Sequence, residues 1–113
     1  MYSLVYTKEA RDNIDELPLK KKRQIKDAVE RLAADPGTGK SLTHDLKGLY
    51  SYRSGDFRII YRIFREKLTI LVITIGNRKD VYEKLSKRAL SLRNISLNET
   101  VSQYGKKMKK NSQ

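Results

Sequence analysis

Three arginines and one tyrosine are the residues of this 113-residue chain whose types and spacing best suit chemistry. Arg53 and Arg58 flank a predicted turn between two strands, and Arg78 and Tyr82 stand four positions apart after a later strand. A guanidinium is permanently cationic and matches phosphate oxygens with paired donors, and a phenol can act as a base or a positioning group. If the strands pair, these groups converge at one end of the sheet. The same spacing is equally compatible with separate surface arginines and a tyrosine packed at a helix start.

Other kinds of catalytic site have less support in the sequence. The chain has no cysteine, which excludes disulfides and thiolate chemistry, and its one histidine, His44, cannot form a metal-binding cluster. Asp56 belongs to a Ser-Gly-Asp segment that is typical of a turn. Residues Gly37–Ser41 look like half of a phosphate-binding loop, but the pattern requires glycine where the chain has Ala34. We therefore predict no metal, no cofactor and no nucleotide-binding loop.

The charge of the chain favours a polyanionic partner. Lysine and arginine number 25 against 13 acidic residues, a net charge of +12, and residues 91–113 hold only five of the basic residues. The remainder of the chain is therefore basic too, which favours nucleic acid, although an acidic protein would satisfy the same charge. No apolar run is long enough to span a membrane, and the start MYSLVYTKEA lacks the pattern of a signal peptide. We expect a cytoplasmic protein.

Two helices are predicted after a short first strand at residues 2–6. Thr7 is a candidate N-cap, an apolar stripe follows at positions 10, 14 and 17, and Pro18 ends the first helix. The second helix spans residues 19–34, and the face opposite its apolar stripe consists of Lys20, Lys21, Lys22, Arg23, Lys26 and Asp27. One proline between two amphipathic segments predicts an antiparallel helical hairpin.

The second half of the chain predicts three strands at residues 49–53, 57–65 and 68–75, followed by a helix over residues 81–90 that Asp80 caps. In the middle strand one face is apolar, whereas Arg58 and Arg62 share the other face with Ile60 and Phe64. We expect this mixed face to be uncovered and to hold a negatively charged, partly planar ligand.

These elements predict an α+β fold in which a helical hairpin packs on a four-stranded, mainly antiparallel sheet, in the order β-α-α-β-β-β-α. The first strand must join the sheet, because an isolated strand leaves its backbone groups without partners. Residues 1–90 form the predicted domain, and residues 91–113 form a basic C-terminal extension that is weakly helical or disordered.

Several segments of the chain resemble one family. They are the hairpin ending in Asp35-Pro36, then Leu46-Lys47-Gly48, the run from Tyr52 to Tyr61 (YRSGDFRIIY), and the run from Ile75 to Tyr82 (IGNRKDVY). In order and spacing, residues 2–90 resemble the RelE/ParE superfamily of toxins from type II toxin–antitoxin pairs. Where some RelE-like relatives carry a lysine pair, this chain has Leu49 and Ser51, and Asn77 stands where many have histidine.

The resemblance implies a microbial RNase-like fold and, in the RelE-like branch, cleavage of mRNA in the ribosomal A site. It implies catalytic roles for Arg58, Arg78 and Tyr82. The remaining basic residues expected to bind RNA are Arg53, Arg62, Lys47 and Lys79. The expected function is therefore a ribosome-dependent mRNA endoribonuclease that inhibits translation through attack of the 2′-hydroxyl on the adjacent phosphodiester.

Two other functions fit the same sequence. One is a ParE-like toxin that poisons DNA gyrase without catalysis, and the other is an inactive basic module that binds RNA or the ribosome. In either toxin interpretation the expected partner is a cognate acidic antitoxin, bound in a toxin–antitoxin hetero-oligomer. The nuclease interpretation adds the ribosome and mRNA as partners.

Overall fold

The computed structural model of the chain describes residues 1–77, 81–88, 91–92 and 95. Three helices and five strands lie in these residues: β1 (Ser3–Tyr6), α1 (Lys8–Asp15), α2 (Leu19–Ala34), β2 (Lys40–Ser41), β3 (Tyr50–Ser54), β4 (Phe57–Phe64), β5 (Thr69–Asn77) and α3 (Val81–Lys87). The predicted element order is thereby confirmed, with one added strand. The predicted α3 cap, Asp80, lies outside the described residues.

The five strands form one sheet in the order β1-β5-β4-β3-β2. β1 pairs with β5 in parallel, and the other neighbours are antiparallel. The prediction of four strands was wrong by one, because Lys40 and Ser41 pair with β3 from a segment predicted as a loop. Two exposed polar residues carry no alternating pattern, so nothing in the sequence marks them as a strand.

The helical hairpin forms as its sequence pattern predicts. Thr7 caps α1: its Oγ1 accepts a hydrogen bond from the Ala10 N–H at 3.1 Å and donates one to the Ile73 carbonyl at 2.6 Å. The cap therefore ties the start of α1 to β5 as well as satisfying a free helix donor. Pro18 separates the helices, and α2 begins at Leu19, as predicted.

A core lies between the helical hairpin and one face of the sheet. Alternation along β4 directs Ile59 and Tyr61 to this face, as predicted, with Phe57 and Ile63 at its margin. The fully buried residues that complete it come from both helices and from β5: Ala10, Ile25, Ala28, Val29, Leu32, Ile70, Val72 and Ile75. These side chains hold β4 and its arginines in a fixed orientation.

The opposite face of the sheet carries a second core and is not open along its length. Ile60, Leu71 and Ile73 are buried there beneath Val81 and Leu85 of α3. Leu46, Leu49 and Leu92 are also buried in this core. The expectation of an uncovered face was therefore wrong for the middle of the sheet, because the apolar side chains on this face are buried against α3.

No described helix is both long and apolar enough to cross a membrane.

Candidate functional site

Two arginines face each other across the β3–β4 hairpin. Arg53 and Arg58 are direct partners in the antiparallel register, on the face that carries α3. The turn between them uses Gly55 at φ +60°, a left-handed conformation that favours glycine. Residues directly opposite in such a pair have Cβ atoms about 4.5–5.5 Å apart, and like charges there are destabilising. This arginine pair is therefore better explained by an anionic ligand than by fold stability.

Arg58 lies against the ring of Tyr82. Its guanidinium carbon is 5.8 Å from the ring centroid, a cation–π contact between β4 and α3. The Arg58 Nε is buried and has no hydrogen-bond partner among the described residues. A buried donor without a partner costs about 1–3 kcal/mol, and a phosphate oxygen in this position would remove that cost.

Tyr82 is held in place both through the backbone of α3 and through its hydroxyl group. Val81 and Leu85 are buried on either side of it in sequence and anchor the first turns of α3 on the sheet. The Tyr82 hydroxyl shares a hydrogen bond of 2.9 Å with Oγ of Ser51, a buried residue of β3. Because the hydroxyl is held by Ser51 and the ring by Arg58, the phenol has a defined position beside the arginine pair.

Sequence reasoning gave Ser51 no role of its own. The alternation of β3 places it on the same face as Arg53, two residues away, and that was the signal available. Its contact with Tyr82 joins residues 31 positions apart, which strand periodicity cannot reveal.

Arg62 lies on the same face of β4 as Arg58 but makes different contacts. Its guanidinium carbon is 5.0 Å from the Phe64 ring centroid, and its Nη1 donates to the Ile95 carbonyl at 3.1 Å. Four residues of strand separate it from Arg58, about 13 Å at 3.3 Å per residue. Arg62 therefore stands apart from the arginine pair, where residue 95 of the predicted extension contacts the sheet.

The other predicted site residues are less closely tied to the arginine pair. Lys47 is exposed just after the 3₁₀ turn His44–Leu46, whose Leu46 packs in the core beneath α3. Arg53 is exposed, with its Nε 3.4 Å from the Gly55 carbonyl. Arg78 and Lys79 lie outside the described residues. Gly76, the last residue but one of β5, is the register partner of Arg58.

The residues considered and set aside from the sequence lie away from this face or lack partners for chemistry. Gly37–Ser41 runs from a 3₁₀ turn into β2, whereas a phosphate-binding loop runs from a strand into a helix. His44 is exposed, and the described residues hold no group of three or more histidines and carboxylates suited to a metal ion. What the site offers is two guanidiniums, a phenol and a serine hydroxyl.

Comparison with known proteins identifies the family. Residues 4–82 match the family described as the ParE toxin of the type II toxin–antitoxin system parDE. Toxin RelG of Mycobacterium tuberculosis (strain ATCC 25618 / H37Rv) is 31% identical over 85 residues, which cover 74% of this chain and 98% of RelG.

Solved structures agree with the sequence comparison. The toxin–antitoxin complex RelBE2 of Mycobacterium tuberculosis contains a chain that is 30% identical, with a TM-score of 0.64, covering 68% of this chain and 91% of that one. The isolated RelE toxin of E. coli, at 22% identity and a TM-score of 0.60, covers 78% of this chain and 98% of its own, and it shows the same fold. The chain therefore belongs to the RelE/ParE family of toxins of type II toxin–antitoxin systems.

Proposed function

We propose that this toxin is a ribosome-dependent mRNA endoribonuclease of the RelE-like branch, which acts in the cytoplasm and arrests translation. The observation that carries the proposal is the arrangement of Arg58: beside Arg53 in the hairpin register, against the ring of Tyr82, and with a buried Nε that has no partner among the described residues. A cationic cluster with an unfilled donor suits a phosphate group.

The reaction would be an attack of the 2′-oxygen on the adjacent phosphorus. The 2′-hydroxyl loses its proton, the new O–P bond forms, and the bond from phosphorus to the 5′-oxygen breaks as that oxygen gains a proton. The products are a 2′,3′-cyclic phosphate and a 5′-hydroxyl end. The demanding part is the negative charge that builds on phosphorus oxygens during the attack, which fixed guanidiniums stabilise.

Each residue has a role in this proposal. Arg58 stabilises the phosphorane-like transition state, with Arg53 binding an adjacent phosphate. Tyr82 acts as the base or holds the nucleophile in line, from the position that Ser51 and Arg58 give it. Arg78 stabilises or protonates the leaving oxygen, a role assigned on the sequence resemblance alone.

An acidic antitoxin is the proposed partner in the resting cell. The chain matches a solved toxin–antitoxin complex at 30% identity, and its net charge of +12 complements an acidic polypeptide. The two would form a hetero-oligomer in which the toxin is silent.

The experiment uses purified toxin with ribosomes carrying a defined mRNA, and primer extension locates the cuts. We expect cuts at fixed codon positions, with the rate reduced about 10²–10³-fold by Arg58→Ala. Tyr82→Phe should also slow cleavage, because it removes the hydroxyl and keeps the ring. Arg31→Ala, an exposed arginine near the end of α2, is the matched control and should cleave normally. Thermal melting confirms that each variant is folded.

The result that would overturn the proposal is full toxicity of both Arg58→Ala and Tyr82→Phe in cells. A second candidate, gyrase poisoning, is kept because residues 4–82 match the ParE family. In that case the wild type would trigger a DNA-damage response and leave the mRNA uncut.

A further inference from the structure

Five cations lie in the first half of α2, with Lys21 and Lys22 half-buried beside its apolar stripe; the set Lys20, Lys21, Lys22, Arg23 and Lys26 is called the basic face of α2. Three of these side chains, Lys20, Arg23 and Lys26, are exposed. Among the described residues, no ion pair joins any of the five to an acid. The nearest acid along the helix is Asp27, which is also exposed. Asp27 and Glu30 lie four positions after Arg23 and Lys26, close enough to offset part of this charge, and residues 19–30 keep a net charge of +3.

The position of these cations opposes helix stability. The N-terminus of a helix carries a partial positive charge, so lysines in the first turn are unfavourable and acids favourable. The first turn of α2 holds no acid, and Pro18 at the cap position provides no side-chain hydrogen bond. A sequence under selection for stability alone would place Asp, Glu or Ser here. A negatively charged ligand explains lysines at these positions better than fold stability does.

α2 packs on the opposite face of the sheet from the candidate site and meets the end of that site at the β3–β4 turn. The Gln24 side-chain amide donates to the Ser54 carbonyl at 3.0 Å and lies 3.2 Å from Ser54 Oγ, which joins α2 to the β3–β4 turn. Lys21 Nζ is 5.9 Å from the Phe57 ring centroid, one residue before Arg58. A ligand at the arginine pair would therefore reach α2 by passing around the β3–β4 turn, where Gln24 contacts Ser54.

The composition of this face suits phosphate groups. Protein–protein interfaces are depleted in lysine and enriched in aromatic residues at their centre, and lysine supplies four of the five cations here. Leu19 is the one exposed large apolar side chain of α2. We propose that the basic face of α2 is a second RNA-binding surface that holds the sugar–phosphate backbone beyond the cleavage site. This proposal rests on the nuclease function proposed above and extends its site.

Binding to an uncleavable RNA tests this surface without requiring activity. The probe is a fluorescein-labelled, 2′-O-methyl RNA of 30 nucleotides, and the protein is the full chain. A variant that combines Lys20→Gln, Arg23→Gln and Lys26→Gln should bind about 10- to 100-fold more weakly at 0.15 M salt. Its plot of log affinity against log salt should flatten by about 2, because each phosphate that a cation neutralises contributes ~0.7 to the slope.

The matched control removes three lysines elsewhere. Lys40→Gln, Lys67→Gln and Lys87→Gln together make the same change in net charge and should weaken binding by less than about 3-fold. A parallel measurement on ribosomes tells the source of the phosphates: weakening on the free RNA indicates mRNA, and weakening confined to ribosomes indicates ribosomal RNA. The first outcome supports the surface as proposed, and the second refutes its assignment to the backbone beyond the cleavage site.

The proposal is overturned if both triple variants weaken RNA binding equally, since total charge would then explain it. It is also overturned if RNA binding is unchanged while binding of the acidic antitoxin is abolished. A wild type that binds the RNA but cuts no mRNA refutes the nuclease function and leaves this surface standing.

Lys20→Glu gives a second measurement that does not depend on the triple variant. Because it relieves the charge at the helix N-terminus, it should raise Tm by about 1–4 °C while weakening RNA binding. A fall in Tm would show that Lys20 supports the fold, and would refute the argument from helix stability.

Discussion

The position of the Tyr82 phenol depends on two contacts of different kinds. The Arg58 guanidinium lies over its ring, and the Ser51 hydroxyl fixes its oxygen at 2.9 Å. The first contact restrains the plane of the ring, and the second restrains rotation of the side chain toward solvent. In the proposed reaction Ser51 is thus a positioning residue, which would act through Tyr82 rather than on the RNA.

Ser51→Ala should lower kcat about 3- to 10-fold and leave KM unchanged. The reason is that one net hydrogen bond of about 0.5–1.5 kcal/mol holds the phenol in place, and a tenfold rate change corresponds to ~1.4 kcal/mol. Ser51→Thr retains a hydroxyl and should restore most of the rate. Single-turnover cleavage on programmed ribosomes measures both.

The double variant Ser51→Ala with Tyr82→Phe separates positioning from a general structural effect. If Ser51 acts only through the Tyr82 hydroxyl, the double variant cleaves no more slowly than Tyr82→Phe alone. Additive reductions in rate would assign Ser51 a separate role.

Tyr61 fixes the segment that leads into β2. Its buried hydroxyl donates to the Pro36 carbonyl at 2.8 Å and accepts from the Gly39 N–H at 3.1 Å. A Cβ on Gly39 would overlap this hydroxyl, so glycine is required there for space. Burial is the main cause that raises the pKa of Tyr61 to about 12, with the Gly39 hydrogen bond acting in the opposite direction.

The unfolding free energy should therefore fall as the pH rises from about 10 to about 12. In that window the folded state keeps the Tyr61 proton, whereas the unfolded chain, with a pKa of about 10, loses it, so alkali favours unfolding. The decrease attributable to Tyr61 is about 2–3 kcal/mol at ~1.4 kcal/mol per pH unit. Urea unfolding of the wild type and of Tyr61→Phe over this pH range measures it.

Tyr61→Phe should be less stable at pH 8, by about 1–3 kcal/mol, because the Pro36 and Gly39 backbone groups lose their partner. Above pH 10 its stability should decline less steeply than that of the wild type. Equal slopes in the two proteins would contradict the assignment of this titration to Tyr61.

Among the three described helices, α3 is the shortest, and it carries Tyr82, the residue of the site that does not come from the sheet. It is short, and Val81 and Leu85 provide its buried contacts with the sheet. On its exposed side Arg88, just after the helix, pairs with Glu9 of α1 at 2.8 Å. A partly exposed ion pair contributes about 0–1 kcal/mol, so the apolar contacts determine where Tyr82 lies.

Leu85→Ala should consequently weaken both the fold and the site. Removing a buried leucine costs about 2–5 kcal/mol in unfolding free energy, and the cavity beneath α3 allows Tyr82 to move away from Arg58. We expect a lower Tm and a cleavage rate close to that of Tyr82→Phe, measured at a temperature where the variant is folded. Lys87→Ala, exposed on the same helix, is the control and should change neither.

Whether a feature could be predicted from the sequence depends on how far apart in the chain its interacting residues lie. Local patterns predicted α2 to the residue, the Thr7 cap and the two faces of β4, since each depends on neighbours within a few positions. The strand β2 and the cover on the second sheet face were missed because they depend on distant partners. The arginine pair could be predicted because one short hairpin places Arg53 opposite Arg58. The contact of Ser51 with Tyr82 could not, because these residues are 31 positions apart.

At the scale of the whole molecule, the charges are distributed against the compact state and in favour of a polyanion. The net charge is +12, and cations lie opposite each other at Arg53 and Arg58 and next to each other on the basic face of α2. Ion pairs such as Lys8–Asp12 are at the surface and offset little of this repulsion. Salt should therefore act in opposite directions on the free protein and on the RNA complex proposed above.

Raising NaCl from about 10 mM to 300 mM should stabilise the free toxin, because the Debye length falls from ~30 Å to well under 10 Å and like charges are screened. Relief on the order of 1 kcal/mol corresponds to a Tm increase of ~4–8 °C. The same salt should weaken binding to the uncleavable RNA by several orders of magnitude, since condensed counterions are no longer released as favourably. Thermal melts and fluorescence titrations over one salt series give both curves.

The variant lacking Lys20, Arg23 and Lys26 should show a smaller change in each, because the same three charges contribute to the repulsion and to the binding. A toxin whose Tm fell with salt would instead be held together by its surface ion pairs, and the view that its cations are placed for RNA at the expense of stability would be refuted.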